Sequence, residues 1–130
     1  MELTAPDYVV LIVDDVSRSI EFYRDVLGLK LGHRSGPYAQ FDTGTTRLAL
    51  YDRVAMADTL ERGLTAPDPD APGFELGFKV ASCDDAFATL VGRGAEAVVA
   101  PTTREWGQRT AYLRDPDGHL VELAEDQRVD

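Results

Sequence analysis

The chain has 130 residues, enough for one domain with a genuine core and too few for two ordinary ones. Apolar residues make up 44% and charged residues 28%, which excludes disordered and fibrous classes. The balance of 13 Lys and Arg against 23 Asp and Glu leaves a net charge of −10, which argues against nucleic acid or an anionic membrane surface as a partner. Residues 66–130 are the more acidic half, with six basic and thirteen acidic side chains against seven and ten in residues 1–65.

Tyr8 to Val13 is an apolar, β-branched run that suits a buried strand. Asp15 supplies a helix N-cap, and Ile20, Phe22, Tyr23, Val26 and Leu27 recur at helical spacing until Gly28 closes the helix. Extended segments follow at Leu29–His33, Tyr38–Asp42 and Thr46–Tyr51, the last two joined across Thr43-Gly44-Thr45. Val54–Arg62 reads as a short helix ended by Gly63, and the proline-rich stretch 65–73 as a linker.

The order then repeats. Phe74–Val80 is a strand, Ser82 a cap with Asp85 three residues on, and Ala86, Phe87, Leu90 and Val91 an apolar helix face ending at Gly94. Strands follow at Ala95–Ala100, Gly107–Arg114 and His119–Ala124, the last two joined by the tight turn Asp115-Pro116-Asp117-Gly118. The expected fold is α+β: two tandem βαβββ modules, 1–64 and 74–130, within one domain.

The single cysteine, Cys83, excludes an internal disulfide and thiolate-based zinc or iron–sulfur sites. It has no nucleophilic partner in the sequence, so no catalytic role is expected. The first residues carry no basic leader region and no run long enough to span a membrane, which predicts a cytoplasmic protein.

The segment from Val9 through Val13, Asp15, Ser19, Phe22-Tyr23 and Leu27-Gly28 resembles the opening of the vicinal oxygen chelate superfamily. That group includes glyoxalases, extradiol dioxygenases and bleomycin-resistance proteins. The ending, Asp115 to Leu123, resembles its closing hairpin. The resemblance implies two four-stranded sheets curled around a cavity, commonly in a homodimer whose pockets are shared between chains.

It also implies a divalent metal held by His and Glu from the first and last strands of each module. Those positions fall here on Tyr8, Ala49, Glu75 and Glu122, so two carboxylates remain and both imidazoles are gone. His33 and His119 match no ligand position. No metal and no cofactor are therefore expected, with a hard-ion site on Glu75 and Glu122 as the residual alternative.

Strand alternation places Tyr8, Ala49, Tyr51, Glu75, Gly77, Tyr112 and Glu122 on the inward faces, with Tyr38 grouped with them as ligand-binding. Trp106, the only tryptophan, lies in the polar stretch 103–109 and reads as a stacking plate, in a Trp-Gly-x-Arg pattern resembling the antibiotic-binding branch. These features point to a protein that binds an aromatic or glycopeptide-like antibiotic and gives resistance by sequestration. The alternative is a metal-independent isomerase, cyclase or ring-opening enzyme with Glu122 as base and Glu75 or Tyr8 as acid.

Overall fold

The computed structural model describes residues 1–127 as two compact units, one covering residues 1–66 and the other beginning at Pro67. Each holds a four-stranded mixed sheet with a helix between its first two strands, so the α+β class and the doubled βαβββ order are present.

In the first unit the strands are β1 (Tyr8–Val13), β2 (Lys30–Ser35), β3 (Tyr38–Asp42) and β4 (Arg47–Asp52). Their spatial order is β1-β4-β3-β2, with β1 and β4 parallel and the rest antiparallel. The alternation read from β1 holds, since Leu11 and Val13 are buried while Tyr8 and Val10 are exposed. Asp15 adopts an extended conformation and its carboxylate accepts the Arg18 amide at 3.2 Å, which starts α1 (Val16–Ile20). The helix then widens into a π-helical turn, Glu21–Val26. Phe22 and Tyr23 within it are both buried, edge to face at 5.0 Å, and Tyr23 meets Phe41 of β3 at 6.0 Å. Gly28, at φ +82°, ends the segment as expected. The Leu29 amide bonds back to the Tyr23 carbonyl, so the strand begins at Lys30 rather than Leu29.

The second helix, α2 (Arg53–Leu60), differs from expectation at its end. It stops at Glu61 in the left-handed region (φ +57°), where the amides of Glu61 and Arg62 close onto the Asp58 and Ala57 carbonyls. Those bonds satisfy the last turn before Gly63 is reached.

In the second unit the strands are β5 (Glu75–Lys79), β6 (Glu96–Thr103), β7 (Gln108–Arg114) and β8 (Leu120–Asp126), in spatial order β5-β8-β7-β6. Ser82 caps α3 (Cys83–Gly92) by accepting the Asp85 amide at 3.2 Å, and Asp84 and Asp85 lie in the positive first turn. The buried Cys83 amide is also bonded by Glu125 of β8, at 2.8 Å. Burial pushes the Cys83 thiol up, with the Asp84 charge adding to it. Strand β6 runs three residues past the expected Ala100, because two irregularities in its register against β7 carry it through Pro101. Strand β8 runs two residues past the expected Ala124, paired with β7 as far as Asp126. In the turn between them the Asp115 carboxylate accepts the amides of Asp117 and His119 at 2.9 and 2.8 Å. Gly118 takes φ +89°, and Pro69 presses so close that an added Cβ would lie 2.9 Å from its ring.

No helix among the described residues is long and apolar enough to cross a membrane.

Candidate functional site

On the first sheet the cross-strand register brings Tyr38 opposite Tyr51, and Val10 and Gln40 on either side of Ala49. The two tyrosine rings stand 6.2 Å apart at 63°, and the Tyr38 hydroxyl donates to Gln40 Oε1 at 2.8 Å. Tyr8 lies at the far end of β1, opposite Arg47, and is 54% exposed. Ala49 is fully buried, so it acts as packing beneath its neighbours. Elsewhere in this unit an open cleft of about 320 Å³ is lined by Asp14, Asp15, Ser17, Arg34 and Asp52. It contains none of the residues selected from the sequence.

On the second sheet Gly77, Glu122 and Tyr112 form one row across β5, β8 and β7. The Tyr112 hydroxyl donates to Glu122 Oε2 at 2.8 Å. Glu122 Oε1 lies over Gly77, where a Cβ would come within 3.3 Å of it. The Tyr112 phenol is pushed up, first by burial and then by its bond to Glu122. Glu75, opposite Leu120 on β5, is also raised, first by loss of solvent around its carboxyl and then by the charge of Glu122.

Nearby cations do not neutralise this pair. Lys79 Nζ bonds Asp126 Oδ1 at 2.5 Å, and Arg114 lies 3.9 Å from Glu96 while donating to the Pro69 carbonyl. Among the described residues, neither Glu75 nor Glu122 forms an ion pair. Two carboxylates on a face whose cations are committed elsewhere favour ligand groups that donate hydrogen bonds or carry positive charge.

Trp106 sits in the turn between β6 and β7 and is 66% exposed. The turn closes through the Gly107 amide onto the Arg104 carbonyl, with Gly107 at φ +90°. The indole Nε1 donates to Gln108 Oε1 at 2.9 Å, and the Arg104 guanidinium lies over the ring, 5.9 Å from its centroid. Arg104, Thr110, Gln108 and Asp126 were not among the residues selected from the sequence. Asp126 lies beyond the expected end of its strand, and the others gain meaning only through the registers of β6 with β7 and of β7 with β8.

The donor set does not fit the metal that the resemblance implies. Ala49 offers no donor atom and is fully buried, and Tyr8 offers a phenol where an imidazole is implied. Among the described residues no three His, Cys, Asp or Glu side chains are grouped closely enough to hold an ion. His119 instead packs on Phe74, ring centroids 5.6 Å apart.

Comparison with known proteins agrees with the topology. The profile of the Glyoxalase/Bleomycin resistance protein/Dioxygenase superfamily matches residues 5–123, and the chain belongs to that superfamily. It is 36% identical over 117 residues to the uncharacterised protein YraH of Bacillus subtilis, covering 87% of this chain and 91% of that one. It is 30% identical over 126 residues to a lactoylglutathione lyase of Haemophilus influenzae, covering 92% and 91%. Among solved structures, a glyoxalase/bleomycin resistance protein/dioxygenase from Nocardioides superposes with a TM-score of 0.85 at 25% identity, over 100% of this chain and 88% of that one. A protein of unknown function from Agrobacterium tumefaciens gives 0.80 at 29% identity, over 97% of each chain.

Proposed function

We propose that this chain is a small-molecule binding protein that gives resistance by sequestering an aromatic or glycopeptide-like antibiotic. The observation that carries the reading is Trp106, a large ring left 66% exposed yet held by hydrogen bond and guanidinium. Exposed apolar surface of that size on a fixed turn is a natural stacking plate. In the second unit, binding would draw on the Trp106 face, with Tyr112, Gly77, Glu75 and Glu122 orienting cationic or hydroxyl groups. In the first unit, Tyr8, Tyr38 and Tyr51 would offer aromatic contacts, with Ala49 packed beneath them. The functional form in this reading is a cytoplasmic homodimer with shared pockets. The test is a titration of aromatic and glycopeptide antibiotics followed by Trp106 emission. A compound that quenches wild type and binds Trp106→Ala equally well removes the stacking role.

A second reading is supported by one observation, the unequal environments of two carboxylates on one face. The exposed Glu75 has its carboxyl raised, first by partial loss of solvent and then by the charge of Glu122, while Glu122 is hydrogen-bonded by Tyr112. An acid and a base set apart in this way suit metal-independent isomerisation, cyclisation or ring opening. Turnover that persists with chelator and disappears in Glu122→Gln would favour it over sequestration.

A further inference from the structure

An exposed tryptophan on a turn ordinarily moves freely on the picosecond-to-nanosecond scale. Trp106 is held from two sides. At its edge, Nε1 donates to Gln108 Oε1 at 2.9 Å. The Gln108 amide has its orientation dictated, because its Nε2 donates at 3.2 Å to Asp126 Oδ1, and a carboxylate can only accept. Asp126 is in turn held by Lys79 Nζ at 2.5 Å, across from β5. The donors and acceptors from lysine to indole therefore allow only one arrangement. On the ring face, the Arg104 guanidinium lies 5.9 Å from the centroid. Arg104 is fixed independently, since its Nε donates at 2.9 Å to Thr110 Oγ1 and Thr110 is fully buried.

We propose that Gln108, Asp126, Lys79 and Arg104 are positioning residues that set the Trp106 ring before any ligand arrives, with Arg104 covering one face and the other left to stack on one planar group. This rests on the reading of Trp106 as a ligand contact, and adds that the plate is one-sided and preorganised.

Because Trp106 is the only tryptophan, its indole N–H gives a single signal, and the ring's motion is measurable without a ligand. In the full chain, ¹⁵N relaxation of that indole should give an order parameter close to the rigid backbone value of about 0.85. Gln108→Leu should lower it below about 0.6. Lys79→Met should lower it by a smaller step, and Lys79→Arg should restore it. Arg104→Ala should leave the indole proton bonded to Gln108 while increasing Trp106 quenching by acrylamide. If Gln108→Leu does not fold, the exposed Lys79 pair carries the test alone. A wild-type indole as mobile as in Gln108→Leu, or a Lys79→Met variant indistinguishable from wild type, overturns the proposal. A rigid indole that no panel antibiotic quenches would instead count against the sequestration reading and leave the positioning network standing.

Discussion

The two modules share a topology and little of their sheet-face chemistry. Both begin with a strand, a side-chain-capped helix and a parallel pairing of first strand to last, with Asp15 and Ser82 in equivalent roles. Beyond that they diverge. The first module passes through a π-helical turn that buries Phe22 and Tyr23, whereas the second has a regular ten-residue helix. The face of the first sheet carries Tyr38, Tyr51 and a buried Ala49. The face of the second carries Glu75, Glu122 and Tyr112, over the close approach at Gly77. Capping and pairing constrain residues that the fold cannot exchange. These sheet-face rows are where the two copies differ.

The largest expected effect would come from forcing the first module toward the family's metal-ligand pattern. Ala49→Glu places a carboxylate at a fully buried position, and should cost about 3 kcal/mol or more by chemical denaturation. A stable variant that also takes up Ni²⁺ would break the contrast between a packing position at Ala49 and a polar row at Glu122. Next comes Trp106→Ala, which should lower affinity for a quenching antibiotic about tenfold, roughly 1.4 kcal/mol. Its unfolding midpoint should stay close to wild type, because the ring is mostly exposed.

Gly77→Ala should be milder. Its Cβ would lie 3.3 Å from Glu122 Oε1, so the carboxylate must shift by a few tenths of an ångström. Binding should weaken a few-fold, with less than about 1 kcal/mol of stability lost. A loss as large as that of Ala49→Glu would show the second face to be as tightly packed as the first.

The smallest effect is that of Glu75. Its folded-state carboxyl is raised by partial loss of solvent and by Glu122, so the folded chain binds this proton more tightly than the unfolded chain. The resulting stability is present below the ordinary carboxylate value and is lost as pH rises through the raised folded one. Glu75→Gln should flatten that decline, as seen by urea unfolding across the acid range. A cationic ligand should bind wild type more tightly as pH rises through the same interval. Unchanged pH profiles for both measurements would remove Glu75 from the account.

Much of this arrangement was legible in the chain itself. The caps at Asp15 and Ser82, the stop at Gly28 and the Asp115–Gly118 turn are local chemistry, readable from a few adjacent residues. The alternation on β1 also held, because one face must be buried. Non-local features were not readable. The end of α2 at Glu61 depends on which amides close the last turn, and the length of β6 depends on register shifts against β7. The bonding of Tyr112 to Glu122 needed the β7–β8 register, and the anchoring of Trp106 through Gln108 and Asp126 needed β8 to run to its observed end. The ion pairs of Lys79 with Asp126 and of Arg114 with Glu96 likewise needed the strand register.

The most direct test of a sequestering protein is the fate of what it binds. The compound that quenches Trp106 most strongly would be incubated with the metal-free chain, recovered after denaturation and weighed by mass spectrometry. The expected result is the compound returned at its original mass, with saturable binding lost in Trp106→Ala. A changed mass in wild type, abolished in Glu122→Gln, would contradict it and establish the carboxylate face as catalytic.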